Sequence, residues 1–380
     1  MEYRRISADC HLDLCWMPPE VFVSGASKAM KDRVPHVVDG PEGPYWTSKN
    51  CAMLGFVGGA NPHGAKWVKG QHPRLDAMGE LGLYSDAQKG INRVSDPHRR
   101  IELMERDGID AEVIFGILGG AMHMNDPEAA NEMLRIYNDW LKGFCAHYPD
   151  RQIGLACIPV SNVAAAVAEV RRVAKLGLRG IEIPLQYDSK PLWHEQWDTL
   201  WQALTEVELP VHFHGFPSMP YGMLDEAGAR RPAALFTALS TFQVGLFGPL
   251  SSLIGGGVLE RYPQLRVSFG EIGLGWLPYA LHRMDLQWTE QQRFRTFMKL
   301  KPSEYWARQC RASFQYDPLG AKLVDLIGVD TLMWGCDFPH GDGTWPDSDK
   351  IIADQFSGLP PEKIQKITCD NAVSFYRLAA

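Results

Sequence analysis

Carboxylate and imidazole side chains end three short apolar runs that lie far apart in the sequence. Asp9 and His11 end ISADCH, His212 and His214 end LPVHFH, and Asp337 follows LMWGC. Imidazole nitrogens and carboxylate oxygens are the protein atoms that bind divalent metal ions in catalytic sites. One ion held by Asp9, His11, His214 and Asp337 would keep coordination positions open for water or substrate. The residue types therefore predict a catalytic metal centre.

The spacing of these residues suits strands. Asp9 and His11 are two residues apart, so their side chains point to one face of a strand, while Cys10 points to the other. His212 and His214 also share a face, and His214, nearer the strand end, is the expected ligand. His212 is expected to neighbour a ligand or to contact substrate. Any one of these residues alone is more often a core residue, a turn former or a helix cap, so the prediction depends on the strand ends meeting.

A parallel barrel brings its strand ends to one face, where barrel enzymes have their active sites. Eight nearly continuous apolar runs, most of them followed by a helical pattern, predict a TIM-type (β/α)8 barrel of the α/β class. We expect residues 1–380 to form this single domain. The predicted strands are Arg5–Leu12, Ala111–Ile117, Gln152–Pro159, Leu178–Pro184, Leu209–Gly215, Leu265–Glu271, Cys310–Tyr316 and Thr331–Asp337.

The helices have recognisable ends. Asp126 precedes Pro127, which predicts a cap followed by proline in the first turn. Ser161 is the predicted cap of the next apolar helix, and Gly177 is its predicted stop.

Two segments depart from the barrel pattern. Residues 17–96 form a long excursion after the first strand, rich in glycine, proline and aromatic residues such as Trp46 and Trp67. We interpret it as an inserted lid or substrate wall, with Trp46 and Trp67 contacting substrate; a surface insertion or dimer arm is the alternative. The apolar stretch Pro232–Gly257 predicts either a buried helix or a subunit contact.

Composition excludes several classes of protein. The net charge of −7 provides no basic surface for nucleic acid or an anionic membrane. Eight cysteines without a CxxC pair indicate neither a disulfide framework nor a zinc knuckle. The charged start MEYRRISADC does not resemble a signal peptide, and no apolar run is long enough to span a membrane. A cytoplasmic enzyme acting on a small molecule is the expectation.

The order of the candidate ligands resembles that of the amidohydrolase superfamily. The segments FGEIGLGWLPYALHRMD, LMWGCDFPHGDGTWP and ITCDNAVSFYRL are similar to the amidohydrolase-related (amidohydrolase 2) branch, which contains the aminocarboxymuconate-semialdehyde and resorcylate-type decarboxylases. The resemblance covers nearly the whole chain, least over residues 18–96. It implies one divalent ion, Zn2+ ahead of Mn2+, held by Asp9, His11, His214 and Asp337. The fourth strand has no lysine to bridge a second metal, so the resemblance implies a mononuclear site.

The chain departs from the family pattern at two positions. Asp9 stands where many members have histidine. Glu271 stands where the decarboxylases have a catalytic histidine. It can act as general acid or base if burial raises its pKa, and a fifth group near the metal is the alternative. His340 is expected to orient Asp337 or to touch substrate, and Trp276 is expected to line the pocket.

The resemblance implies a metal-dependent, nonoxidative decarboxylase of an aromatic or unsaturated carboxylic acid, with a role in aromatic compound catabolism. A metal-dependent hydrolase of an amide, lactone or carbon–carbon bond on the same barrel is the alternative, with Asp337 or Glu271 as the catalytic group that activates water. A barrel that only binds or assembles is a third possibility, and the intact ligand set argues against it. The resemblance also implies a homodimer or homotetramer.

Overall fold

The computed structural model describes residues 2–60, 64–159, 161–185, 190–215 and 226–379. In these ranges the strands are β1 (Ile6–His11), β2 (His36–Gly40), β3 (Gly43–Ser48), β4 (Cys51–Phe56), β5 (Ala111–Phe115), β6 (Gln152–Cys157), β7 (Gly180–Glu182), β8 (Val211–His214), β9 (Val267–Gly270), β10 (Cys310–Phe314) and β11 (Leu332–Trp334). β1 and β5–β11 make one eight-stranded sheet in the order β1-β5-β6-β7-β8-β9-β10-β11. Neighbouring strands in this order pair in parallel within the described residues.

The two edges of this sheet meet, which closes it into a barrel. The backbone N–H of Asp337 donates to the carbonyl of Asp9 at 2.7 Å, and that of His11 donates to the carbonyl of Phe338 at 2.8 Å. The prediction of a TIM-type barrel is confirmed, and each barrel strand lies inside its predicted run. The same contacts that close the barrel bring the ends of β1 and β11 together.

Helices surround the barrel and occupy the excursion. Asp126 caps its helix as predicted, since its carboxylate accepts the N–H of Ala129 at 3.1 Å. The predicted cap at Ser161 is wrong by one residue, because the Asn162 side chain accepts from Ala165. The α-helices are Val21–Gly25, Pro73–Glu80, Leu83–Gln88, Pro97–Arg106, Leu118–Met122, Pro127–Cys145, Val163–Leu176, Asp198–Glu206, Arg231–Thr241, Phe247–Gly255, Val258–Arg261, Leu277–Glu290, Pro302–Gln309, Val324–Ile327, Ser348–Gln355, Pro361–Gln365 and Asn371–Tyr376.

Apolar side chains fill two layers. Those that point into the barrel, such as Val113, Leu155 and Met333, pack with Phe375 and Tyr376 of the last helix. A larger layer lies between the strands and the surrounding helices. The last helix therefore closes one end of the barrel, and the polar strand ends lie at the other.

The excursion packs on the two loops that follow β1 and β11. β2, β3 and β4 form an antiparallel sheet, and the N–H of Gly58 donates to the carbonyl of Cys15 at 2.7 Å. Arg74, on the helix Pro73–Glu80, pairs with Asp347 at 2.6 Å. Residues 61–63 lie outside the described ranges. The excursion thus contacts the loop that follows Asp9 and His11 and the loop that follows Asp337.

The apolar stretch after β8 is partly buried and partly exposed. In Phe247–Gly255 the side chains of Leu250 and Leu253 are fully buried, whereas in Arg231–Thr241 Phe236 is 74% exposed. No single helix in the described ranges is long and apolar enough to cross a membrane, although the bent pair Gly228–Thr241 and Gln243–Gly255 has the length and composition of a broken span.

Gly335 is required where β11 approaches β1. A Cβ at this position would lie 2.5 Å from the Cβ and 2.8 Å from the backbone N of Asp9. Since the backbone cannot retreat without breaking the bonds that close the barrel, Gly335→Ala is expected to lower the free energy of unfolding by about 3 kcal/mol. The midpoint of urea unfolding measures this. Gly119→Ala, which would meet no atom within 4 Å, is the matched control, and an equal effect of both variants would contradict the prediction.

Candidate metal centre

The structure brings the four predicted ligands together at one end of the barrel. His11 Nε2 lies 3.0 Å from Asp337 Oδ1 and 3.3 Å from Asp9 Oδ1. His214 Nε2, at the end of β8, lies 3.4 Å from the same Asp9 oxygen. Two imidazoles and two carboxylates from three strand ends therefore converge on one point.

The convergent atoms fit a divalent metal ion. Five of them are buried and make no hydrogen bond of acceptable geometry within the described residues. They are Asp9 Oδ1, His11 Nε2, His214 Nε2, Asp337 Oδ1 and Asp337 Oδ2. Buried polar atoms without a partner are rare, and five at one point need a common partner. Two nitrogen donors and two carboxylates are a donor set that binds zinc, manganese or iron.

The local backbone conformation sets the direction of the Asp337 and Glu271 side chains. Asp337 and Glu271 adopt left-handed conformations, with φ of 53° and 52°. Residues other than glycine rarely occupy this region, and such strain clusters at functional sites. In β1 the pairing with β5 shifts register between Ser7 and Cys10, and Ser7 Oγ donates to the carbonyl of Asp9 at 2.9 Å. Irregular strand ends therefore set the direction of these side chains.

Asp9 is held as an ionised carboxylate with one oxygen directed at the cluster. Its Oδ2 accepts from Ser313 Oγ at 2.8 Å, which leaves Oδ1 facing the imidazoles of His11 and His214. Burial alone would raise the pKa of Asp9, but His214 and His11 beside it hold that pKa well below its usual value. Asp9 is therefore ionised at any pH where the protein would work.

His340 holds Asp337 in place. Its Nδ1 lies 3.0 Å from Asp337 Oδ1, its Nε2 lies 2.8 Å from Asp13 Oδ2, and its ring stacks on His11 with centroids 4.1 Å apart. Burial opposes the charged imidazole, but Asp337 and Asp13 raise the pKa of His340 well above its usual value. Because both ring nitrogens face carboxylates, the geometry favours orientation of Asp337 over substrate contact. Sequence analysis missed Asp13, whose position two residues after His11 was the available signal.

Asp13→Asn is expected to weaken metal binding by about 10- to 100-fold, the usual effect of losing a group that orients a ligand. An amide holds the His340 imidazole less strongly than a carboxylate does, so Asp337 loses its fixed orientation. Competition with a coloured chelator measures the affinity for Mn2+. Asp39→Asn, at an exposed site on β2, is the control. Unchanged affinity in Asp13→Asn would show that His340 orients Asp337 without help.

His212 does not join the cluster. Its Nδ1 donates to the carbonyl of Ile181 at 3.0 Å, and its Nε2 accepts from the Tyr376 hydroxyl at 2.9 Å. The ring is fully buried, and burial lowers the pKa of His212 to about 3. Both nitrogens are occupied by protein atoms in the barrel interior, so His212 has no atom to offer a substrate.

Glu271 lies beside the ligands at the end of β9. Its Oε2 is 3.7 Å from His214 Nε2, and it forms a group of close carboxylates with Asp337 and Asp342. Burial, followed by the charge of Asp337, raises the pKa of Glu271 well above its usual value. Glu271 therefore retains a proton far more readily than an exposed glutamate does, which is the property needed in a general acid.

The three predicted substrate-binding tryptophans have other partners. Trp276 Nε1 donates to the carbonyl of Ile272 at 2.7 Å. Trp46 is fully buried against Phe22 inside the excursion, and Trp67 stacks on Tyr84 with centroids 5.5 Å apart. None of these contacts brings a tryptophan to the ligand cluster. Phe115, which sequence analysis did not single out, packs against the rings of His11 and His214 at 5.5 and 4.8 Å.

Comparison with known proteins agrees with this geometry. The chain is 26% identical over 247 residues to 2-amino-3-carboxymuconate-6-semialdehyde decarboxylase of Dictyostelium discoideum, covering 64% of this chain and 67% of the relative. It is 26% identical over 269 residues to gamma-resorcylate decarboxylase of Polaromonas sp., covering 63% and 76%. Both names match the branch to which the sequence motifs are similar.

A solved structure has the same fold. It is 5-carboxyvanillate decarboxylase of Novosphingobium aromaticivorans, complexed with manganese and 4-hydroxy-3-methoxy-5-nitrobenzoic acid. It superposes with a TM-score of 0.67 at 22% identity, covering 99% of this chain and 96% of that chain. The sequence model of the amidohydrolase family matches residues 9–378, nearly the whole chain. The protein is therefore a member of the amidohydrolase family.

Proposed function

We propose that this protein is a metal-dependent decarboxylase that removes CO2, without oxidation, from a hydroxylated aromatic carboxylic acid. The observation that carries the proposal is the cluster of five buried ligand atoms that make no hydrogen bond to any described residue, beside the protonatable carboxyl group of Glu271. The names of the relatives support the substrate class, since they include decarboxylases of resorcylate and carboxyvanillate.

Asp9, His11, His214 and Asp337 would hold the divalent ion. When bound there, the ion supplies positive charge that binds the substrate carboxylate and a neighbouring oxygen. We propose Mn2+ ahead of Zn2+, which reverses the order expected from sequence, because the related decarboxylase structure contains manganese. His340 and Asp13 would keep Asp337 in its orientation throughout.

Glu271 would deliver the proton. It transfers a proton to the ring carbon that bears the carboxylate, and the bond from that carbon to the carboxylate then breaks. The electron pair of the broken bond restores the aromatic ring, CO2 leaves, and Glu271 regains a proton from water. Phe115 gives the pocket an apolar floor, which keeps water from the reacting carbon.

The direct test measures CO2 release by the manganese-loaded protein from gamma-resorcylate and from 5-carboxyvanillate. We expect one equivalent of CO2 per equivalent of acid consumed and, in heavy water, one deuterium at the vacated ring carbon. If neither acid released CO2 and the protein hydrolysed an aromatic lactone or amide, the hydrolase alternative would be supported instead.

We propose that residues 17–96 form a wall of this pocket within a single domain of residues 1–380. The contact between Arg74 and Asp347 supports this, since it ties the helix Pro73–Glu80 to the loop that follows Asp337. Binding of gamma-resorcylate is then expected to slow amide hydrogen exchange in Pro73–Glu80. An unchanged rate of amide hydrogen exchange would indicate that the excursion is a surface insertion.

We also propose that the protein self-associates as a homodimer or homotetramer through the helix Arg231–Thr241. Its exposed apolar side chains, Phe236 at 74% and Leu239 at 59%, support this. Light scattering during size-exclusion chromatography gives the mass, and Phe236→Ser is expected to shift it toward one chain. A single-chain mass for the unaltered protein would exclude the proposal.

A further inference from the structure

A second polar group lies across His214 from Glu271. Glu182 ends β7, the strand beside β8, and is 6% exposed. Its Oε2 accepts the backbone N–H of Gly116 at 3.0 Å and lies 3.7 Å from the thiol of Cys157. Its Oε1 makes no hydrogen bond to any described residue, so among these residues only one of the two carboxyl oxygens has a partner.

Tyr137 reaches the same place from the helix Pro127–Cys145. Its ring lies 2.7 Å from where a Cβ on Gly116 would be, so only glycine there leaves room for it. The Tyr137 hydroxyl is buried and makes no hydrogen bond within the described ranges. Buried tyrosine hydroxyls usually have a partner. Glu182 and Tyr137, both in contact with Gly116, therefore offer two unused polar atoms.

Both side chains lie near the ligand cluster, through their contacts with Gly116. Gly116 follows Phe115, whose ring packs against His11 and His214. Burial raises the pKa of Glu182, while His214 and His11 act in the opposite direction, as expected for ligands nearby. The strand order β7-β8-β9 places Glu182 and Glu271 on either side of His214.

We propose that Glu182 and Tyr137 bind a ring hydroxyl of the substrate, distinct from the oxygens held at the metal centre, and so select among hydroxylated acids. This inference rests on the proposed function. A hydroxyl can donate to Glu182 Oε1 and accept from Tyr137 Oη at once. It can also accept from Glu182 when that carboxyl group is protonated. An acid without this hydroxyl leaves both polar atoms buried and unpaired, which lowers its binding affinity strongly.

The test compares 2-hydroxybenzoate with its 2,3-, 2,4-, 2,5- and 2,6-dihydroxy derivatives, using calorimetry on the manganese-loaded protein. We expect one isomer to bind at least about 30-fold more tightly than 2-hydroxybenzoate. Tyr137→Phe, which removes one oxygen atom, is expected to reduce that advantage to about 3-fold, and Glu182→Gln is expected to reduce it as well. Tyr279→Phe, 64% exposed on the surface, is the matched control and should keep the full advantage.

Two results would contradict this inference without contradicting the proposed function. One is equal binding of all five acids. The other is a preferred isomer that keeps its tighter binding in both Tyr137→Phe and Glu182→Gln. In either case CO2 release from gamma-resorcylate or 5-carboxyvanillate would still support the proposed function. If no acid in the series binds and none releases CO2, the proposed function fails and this inference fails with it.

Discussion

His214→Ala is expected to lose its bound metal and, with it, all detectable CO2 release. The variant would leave three ligands, while Asp9 Oδ1 keeps its buried charge without the imidazole 3.4 Å away. Loss of a group that merely orients a ligand weakens metal binding by about 10- to 100-fold, so loss of a ligand is expected to exceed about 100-fold. Elemental analysis after manganese loading and desalting measures the effect, with about one equivalent expected in the unaltered protein.

The matched control is His282→Ala, at an exposed position on the helix Leu277–Glu290. It should retain the full equivalent of manganese and the full rate. A second readout does not depend on activity: Mn2+ should raise the melting temperature of the unaltered protein and leave that of His214→Ala unchanged. Full metal occupancy in His214→Ala would show that the ligand set is different.

The barrel and the position of its ligands could be predicted from sequence because both depend on local patterns. Strands of a parallel barrel are buried on both faces and read as short continuous apolar runs. A polar residue at the end of such a run, such as His214 or Asp337, stands out against it. Convergence then follows from the architecture, since the ends of parallel strands meet at one face.

The roles of several site residues could not be predicted, because they depend on partners remote in sequence. His212 shares a face with His214, as predicted, but its Nε2 is bound by Tyr376, 164 positions away. His340 is fixed by Asp13, 327 positions away. Spacing places Asp13 close to His11, but it does not indicate the pairing of His340 with Asp13 or of His212 with Tyr376. Trp46 was likewise predicted to contact substrate, whereas its ring is fully buried against Phe22, in an apolar layer that continues from the excursion to the barrel helices.

Glu271→Gln is expected to reduce kcat for CO2 release by about 100- to 10,000-fold while metal content stays at one equivalent. Glutamine has nearly the same shape but cannot deliver the proton, and general acids contribute rate factors of this size. Glu271 lies 3.7 Å from His214 Nε2, so its loss as an acid should leave the four ligands in place. Rates of CO2 release, elemental analysis and calorimetric binding of the substrate acid together separate chemistry from binding.

Glu271→His provides the sharper comparison, because the resemblance of the segment FGEIGLGW to the decarboxylases implies a catalytic histidine at this position. Imidazole can deliver a proton, and histidine tolerates the left-handed backbone, with φ of 52°, that the site imposes. Glu271→His is therefore expected to exceed the rate of Glu271→Gln by at least about 10-fold, and Glu290→Gln, at an exposed helix end, should match the unaltered protein. Equal rates in the glutamine and histidine variants would mean that another group supplies the proton. Loss of metal from both variants would instead make Glu271 a ligand.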